Sequence, residues 1–381
     1  MDETRNPGKP QQKKRTAGAA GILSLCLTAA LLLAIAVYGG APRLQAAAQG
    51  GLDVVERFYM NGANAVSEAA AGIQNTKKKY WISGNAVAAP KPDKTCYGEA
   101  SDPAELSGIA DAAEDLLDGQ SLYFSTDVTL LKGTTIRYYL DETILAITWK
   151  QPIDNTVYTF SEIKVADPSQ FRRFLSGGAY GSGKLAIPTE MANSVNAVVA
   201  SSGDYYQYRN AGVIVYDGVV CRVGSGADTC YVDSSGDLLF THVRDQMTMA
   251  SAQRFVEENH IQFSVAFGPI LVENGEKCAI GAYGLGEVGE QYARAALCQL
   301  GPLHYLLVNA NAEANQHSYP TMYEFADRIY RTGCSMAYAL DGGQTAVIVM
   351  DGELINQVTH GYQRKISDII YFATALPNPQ G

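Results

Sequence analysis

Asp341-Gly342-Gly343 follows the apolar, strand-like segment Ala337 to Leu340. A carboxylate there would emerge at a strand end, beside two glycines that let backbone approach a ligand closely. Such a group can move a proton or attack an electrophilic centre. A plain turn with a solvated aspartate has the same tripeptide, so three residues alone decide nothing. Weight comes from the polar segments that accompany it in order. These are Ser202-Gly203-Asp204-Tyr205-Tyr206, Arg209-Asn210-Ala211-Gly212, Ala266-Phe267-Gly268-Pro269, Arg294-Ala295-Ala296, Thr321 to Ala326 and Ser367-Asp368-Ile369-Ile370. His317 and His360 are isolated in polar loops, where solvation competes with proton shuttling. No pair of the seven cysteines has Cys-x-x-Cys spacing, so no metal or redox motif follows.

The elements that must carry these residues read as strands first. Thr135 to Tyr139, Ile144 to Trp149 and Thr156 to Val165 are rich in β-branched and aromatic residues and bounded by Asp141-Glu142 and Asp154-Asn155 turn signals. A helix is expected from Pro168, with Phe171, Phe174 and Leu175 on one face and Gly177-Gly178 at its end. Thr189 is expected to cap another helix running through Val195. Strands follow at Ala197 to Ala200, Val213 to Tyr216 and, after an Asp217-Gly218 turn, Val219 to Val223. Ser251 to Asn259 reads as a helix and His304 to Val308 as a buried strand. Thr321 with Glu324 three residues on forms a capping box for a helix through Tyr330. Strands at Ser335 to Leu340, Ala346 to Met350 and Ile366 to Phe372 close the series. The mixture implies an α+β fold with a mixed, largely antiparallel sheet and packed helices.

From Gly18 to Tyr38 no residue is charged, a stretch long enough to cross a hydrocarbon core of about 30 Å, and Ile22 to Val37 within it is almost wholly apolar. Lys13, Lys14 and Arg15 precede it, which puts the N-terminus inside and everything after Gly39 outside. Ala46-Ala47-Ala48 also offers a signal-peptide cleavage point, and either reading exports the domain. The expected layout is a cytoplasmic tail at 1–16, a transmembrane signal anchor at 17–38, an extracytoplasmic helical stalk or linker at 39–125 and a folded domain at 126–381. A formal net charge of −10 supplies no basic field for phosphate backbones, which excludes nucleic acid as a natural partner. The 23 tyrosines fit either strand packing or sugar-facing platforms. Cys221 and Cys230 flank a short Gly-Ser-Gly segment, where a disulfide and two free thiols are both open.

The ordered segments resemble the phosphodiester glycosidase family, in its uncovering-enzyme-like, bacterial exported or membrane-anchored branch. The resemblance covers roughly Thr134 to Thr374. Arg294 matches the family's Arg-Thr-Ala-Ile-Gly arginine, Thr321 to Ala326 its helix, and Asp341-Gly342-Gly343 its glycine-rich turn. Cys298 replaces a glycine, Ala339 an asparagine, and Gln344-Thr345-Ala346 a Gly-Ser-Ser run; Asn309-Ala310-Asn311-Ala312 stands where the family has Val-Asp-Gly-Arg. The resemblance implies hydrolysis of a sugar-1-phosphodiester bond in an envelope or exopolysaccharide glycan, without an organic cofactor or an assigned metal ligand. Asp341, Arg294 and Asp204 would be catalytic, with Arg294 gripping phosphate through its planar fork. Tyr205, Tyr206, Asn210, Gly342, Gly343, Gln344 and Thr345 would bind substrate. An ion pair for Arg294, and turn and packing roles for Asp204 and Tyr206, stand beside those assignments. The altered segments motivate a second expectation, a catalytically silent glycan or phosphoglycan binding module in envelope assembly.

Overall fold

A computed structural model describes residue 82 and residues 88–101, 103–124, 136–281, 283–284, 287–313 and 318–376. The chain divides into units Met1–Lys79 and Tyr80–Gly381, and every described residue lies in the second. The anchor expected at 17–38, most of the expected stalk, and His317 lie outside the described residues. Among the described residues no helix is long and apolar enough to cross a membrane.

The chain enters through strand β1 (Tyr97–Ala100) and helices α1 (Pro103–Ala112) and α2 (Glu114–Leu117). A meander follows, β2 (Ile136–Leu140), β3 (Ile144–Ile153) and β4 (Thr156–Val165), then β5 (Phe171–Leu175), α3 (Pro188–Ser194) and β6 (Val199–Ser202). Next come β7 (Val213–Tyr216), β8 (Val219–Val223), β9 (Thr229–Asp233), β10 (Leu238–Thr241), α4 (Met249–Glu258), β11 (Ile261–Val265), β12 (Ile270–Glu273) and β13 (Glu276–Lys277). The last part holds β14 (Arg294–Gly301), β15 (His304–Asn311), α5 (Met322–Tyr330), β16 (Met336–Leu340), β17 (Ile348–Met350), β18 (Glu353–Leu354) and β19 (Asp368–Phe372).

These strands form a nine-stranded sheet in the order β1-β2-β3-β4-β15-β14-β16-β12-β13 and a five-stranded sheet in the order β18-β17-β6-β19-β5. Smaller sheets are β10-β9-β11 and the hairpin β7-β8. The fold is α+β and sheet-rich, but every strand pair among the described residues is antiparallel, where a mixed sheet was expected. Local turn chemistry explains much of this. Asp154 and Asn155 both take positive φ, as do Asp217 and Gly218, and two such central residues are what a tight hairpin matching strand twist requires.

The large sheet buries both faces. One carries Ile147, Trp149, Phe160, Leu306 and Val308 against α1, α2 and α5; the other carries Ile163, Leu307, Leu297 and Tyr338 against Val199, Ile348, Ile370 and Phe372 of the five-stranded sheet and Phe263 of the three-stranded one. The segment expected as stalk is described only in its last part, and there it is no stalk. β1 pairs with β2, and Leu106, Ile109 and Leu117 enter the helix-side core. Glu162 fastens the chain just past α2 by accepting the Tyr123 and Phe124 N–H groups at 2.6 and 2.9 Å.

The helix expected after Pro168 is instead a single 3-10 turn, Pro168–Gln170, capped by Asp167, and then strand β5. Phe171 stacks on Phe372 at 4.4 Å and meets Phe263 and Tyr305 at 5.2 and 4.9 Å. Burying a side chain such as Phe171 or Leu175 is worth about 1.5–3 kcal/mol, more than local helix propensity can oppose. Thr189 is not a cap either. Pro188 takes the first helical position, and Ile187 precedes it without a capping side chain. By contrast, Thr321 and Glu324 form the expected capping box at α5.

Candidate active site

Asp341 directly follows β16, and its turn is pinned against the end of β6 in the smaller sheet. Its N–H donates to the Gly203 carbonyl at 3.1 Å, and Ser202 Oγ donates to the Asp341 carbonyl at 2.9 Å. Gly342 allows the turn to press on β14, because a Cβ there would sit 2.7 Å from the Ala293 carbonyl oxygen. Gly343 has φ +62°, a left-handed conformation that favours glycine, and its N–H donates to the same Ala293 carbonyl at 2.7 Å. Thr345 Oγ1 closes the turn on the Gly342 carbonyl at 2.6 Å, and Gln344 Nε2 reaches the Tyr362 carbonyl at 3.4 Å.

The Asp341 side chain is buried, and its Oδ2 makes no hydrogen bond among the described residues. Burial pushes its carboxyl up to about 7, and the Asp204 charge adds to the rise. A hydrogen bond with Thr345 and the charges of Arg364 and Arg209 oppose it. These two cations are held by an aromatic platform. Tyr205 and Tyr208 stack at 4.4 Å; the Arg209 guanidinium lies 5.4 Å from both the Tyr205 and Phe267 rings, and that of Arg364 lies 5.5 and 5.8 Å from Tyr205 and Tyr208. Arg364 Nη2 also donates to Tyr205 Oη at 2.9 Å. Arg209 Nη1 is buried and makes no hydrogen bond among the described residues. A titratable carboxylate thus sits near two guanidiniums whose donors are not consumed by carboxylates, an arrangement suited to an anion with a reacting centre beside it.

Asp204 is close by but committed. Its Oδ1 accepts the Tyr206 N–H at 2.8 Å; its Oδ2 accepts the Ala266 N–H at 2.8 Å and lies 3.0 Å from Arg173 Nη2. Arg173 Nε bonds Asp368 Oδ2 at 2.8 Å, and Asp368 in turn accepts the Asp204 N–H at 3.1 Å. All three side chains are fully buried. Burial pushes the Asp368 carboxyl up, with Arg173 opposing. Tyr206 packs beside this group, its ring 5.6 Å from the Arg173 guanidinium and 5.5 Å from Tyr180.

Arg294, expected as the phosphate clamp, opens β14 and points elsewhere. Its Nη2 donates to the Glu287 and Glu290 carbonyls at 3.1 and 2.6 Å, its Nε to the Pro320 carbonyl at 3.5 Å, and its guanidinium lies 5.6 Å from the Tyr292 ring. Burial lowers its pKa to about 10, so it stays charged at neutral pH while holding loop backbone. Asn210 is exposed and borders a different cavity. The structure therefore brings Asp341, Gly342, Gly343, Gln344, Thr345 and Tyr205 together, and leaves Arg294, Tyr206 and Asn210 out of that group. Arg364 and Tyr208 were missed as site residues, and Arg209, although part of one of the ordered polar segments, was given no role. The only signal was local, a Tyr-Tyr-Gln-Tyr-Arg cluster and a Gln-Arg-Lys loop. Asn309 and Asn311, where the family has Val-Asp-Gly-Arg, are buried in β15 between β4 and β14. Cys221 and Cys230 are free thiols. Among the described residues, no group of His, Cys, Asp or Glu is arranged to hold a metal ion.

Residues 195–373 match the family model described as phosphodiester glycosidase. No curated protein matches the chain. Among solved structures, the catalytic domain of a zebrafish N-acetylglucosamine-1-phosphodiester α-N-acetylglucosaminidase, auto-inhibited by its pro-peptide, is similar at 17% identity. That match covers 60% of this chain and 82% of the other, with a TM-score of 0.48. A hypothetical protein from Synechocystis is 12% identical over 65% of this chain and 64% of its own, with a TM-score of 0.44. A protein of Burkholderia pseudomallei K96243 is 12% identical over 57% of this chain and 74% of its own, with a TM-score of 0.41.

Proposed function

We propose that this chain, whose residues 195–373 match the phosphodiester glycosidase family model, hydrolyses a sugar-1-phosphodiester bond in an envelope or exopolysaccharide glycan. The family implies a glycan substrate. The uncharged run at 17–38 would hold the domain at the outer face of a membrane, where such a glycan is found. The observation that carries the reading is Asp341, a buried carboxyl with an unpaired oxygen and two nearby guanidiniums.

In this scheme Arg364 and Arg209 bind the phosphoryl oxygens, and Tyr205 and Tyr208 fix the cations. Ionised Asp341 takes a proton from a water molecule, whose oxygen forms a bond to the anomeric carbon. The bond from that carbon to the phosphate oxygen breaks, and the electron pair leaves with the phosphate. Because phosphate leaves readily, two cations and one base are a sufficient minimum. Gln344 and Thr345 offer hydrogen bonds but no titration, so they serve binding. Asp204 acts at one remove, as a fixed negative charge that raises Asp341. No organic cofactor enters the scheme.

A silent binding module is the second reading, favoured by Asn309 and Asn311, amides in the segment where the family carries an acid and a base. Turnover of a sugar-1-phosphodiester by the full chain separates the two. Release of free sugar by the wild type, reduced about 10²- to 10⁴-fold in Asp341→Asn, is the expected result. Equal background rates in both, with the phosphodiester still bound, would leave the module.

A further inference from the structure

Arg209 faces two rings, each 5.4 Å from its guanidinium, and the two differ in what they can hold. Tyr205 belongs to the same turn as Arg209, its carbonyl accepting the Arg209 N–H at 3.2 Å, so it moves with the arginine. Phe267 does not. It lies in Ala266-Phe267-Gly268-Pro269, between β11 and β12, and ties the cation to the sheet whose strand β16 leads into Asp341. Resting on the reading of Arg209 as a phosphate ligand beside Asp341, we propose that Tyr338 and Tyr283 are positioning residues, whose hydroxyls clamp the backbone of Phe267 and so hold Arg209 in place.

The backbone around Phe267 is held from several sides. The Ala266 N–H donates to Asp204 Oδ2 at 2.8 Å, the Phe267 N–H donates to Tyr338 Oη at 2.8 Å, and the Phe267 carbonyl accepts from Tyr283 Oη at 3.0 Å. Next along, the Gly268 N–H donates to the Ala339 carbonyl at 3.1 Å, and the Ala339 N–H to the Pro269 carbonyl at 3.0 Å. Both hydroxyls then meet on one further residue. Tyr338 Oη donates to the Asp228 carbonyl at 2.6 Å, and Tyr283 Oη accepts the Asp228 N–H at 2.8 Å. Asp228 is itself fixed, its carboxylate accepting the Val243 and Ile270 N–H groups at 2.7 and 3.1 Å. The result is a closed ring of hydrogen bonds in which each hydroxyl accepts one N–H and donates to one carbonyl.

Packing leaves this clamp little slack. Tyr338 is fully buried, and a Cβ at Gly268 would run into Tyr283 Oη. Burial and the Asp228 charge push the Tyr283 hydroxyl up, against the Arg209 charge, so it stays protonated and able to donate. Phenylalanine would fill the space of either tyrosine. What the hydroxyls add is a fixed backbone from which the Phe267 ring reaches Arg209.

The test needs no substrate. Burial raises the Asp341 carboxyl and the Asp204 charge adds to the rise, while the Thr345 hydrogen bond and the charges of Arg364 and Arg209 hold it down. Carboxyl-carbon NMR titration of the full chain in detergent reads its midpoint, the signal being assigned by its loss in Asp341→Asn. Tyr283→Phe and Tyr338→Phe change no charge, yet each should raise that midpoint by about half a unit as Arg209 loses its seat. Phe267→Leu, which keeps both hydroxyls, should do the same, and Arg209→Ala should raise it at least as far. In the Arg209→Ala background neither tyrosine substitution should add to the rise. Simple loosening has the opposite sign, because water reaching a carboxyl raised by burial lowers it. A midpoint unmoved or lowered in a folded tyrosine variant, or a rise that persists without Arg209, would overturn the clamp. Loss of the glycosidase reading shows differently, as equal sugar release by wild type and Asp341→Asn, so each can fail without the other.

Discussion

Asp341 and Asp204 stand just past the ends of β16 and β6, where the two sheets meet, yet they have opposite fates. Asp204 accepts two backbone N–H groups and faces a buried guanidinium. Asp341 keeps an unpaired carboxylate oxygen, and its carboxyl is pushed up to about 7. Both are buried aspartates in family-like segments, so neither residue type nor neighbourhood separates them. What separates them is whether the surrounding donors are already spent. The arginines divide in the same way. Arg173 and Arg294 are consumed by carboxylates and carbonyls, whereas Arg364 and Arg209 rest on aromatic rings.

The largest effect should come from breaking the committed side. Arg173→Met leaves two buried carboxylates without their cation, a change worth about 3–5 kcal/mol. Thermal melting should shift down by on the order of 10 °C. A shift within error would mean that the buried triad is not the structural half of the comparison.

Asp341→Asn should do the reverse. The ordinary aspartate value, 3.8, is raised to about 7 in the fold, so the folded state holds its proton more tightly than the unfolded chain. The group's favourable contribution is complete below about pH 4 and is lost as pH rises through 7. At pH 8 the ionised carboxylate costs up to about 4 kcal/mol, and the asparagine should melt higher than wild type there and lose that advantage near pH 4. Chemical denaturation at the two pH values checks the sign. A less stable asparagine at pH 8 would place Asp341 among the committed groups.

Arg364→Ala should change stability least, because the side chain is exposed. Phosphodiester affinity should nonetheless fall about tenfold, as expected for losing a charge-assisted hydrogen bond. Calorimetric titration with a sugar-1-phosphodiester measures it. Unchanged affinity would return the phosphate to some other cation.

Much of the fold was legible because its causes are local. The Asp217-Gly218 hairpin, the Thr321 and Glu324 box and the Asp341 turn all write their geometry into adjacent residues. β5 was not, because Phe171 and Leu175 suit a helix face as well as a strand, and only Phe372, Tyr305 and Phe263 decide between them. The site divides likewise. Asp341 is visible in its tripeptide, but the commitment of Asp204 depends on Arg173, Ala266 and Asp368, far away in sequence. Arg364 has no periodicity or motif to mark it, and its importance exists only once Tyr205 and Tyr208 are stacked beneath it.

The pH dependence of kcat/KM for a sugar-1-phosphodiester tests the central claim most directly, since it reports the free enzyme's essential base. The rate should rise about tenfold per unit up to about pH 7 and then level, following the Asp341 carboxyl. In Arg364→Ala the limb should move to higher pH, because that cation holds the carboxyl down. A wild-type profile that is flat across pH 7, or one that Asp341→Asn reproduces, would contradict a role for Asp341 as the reacting carboxylate.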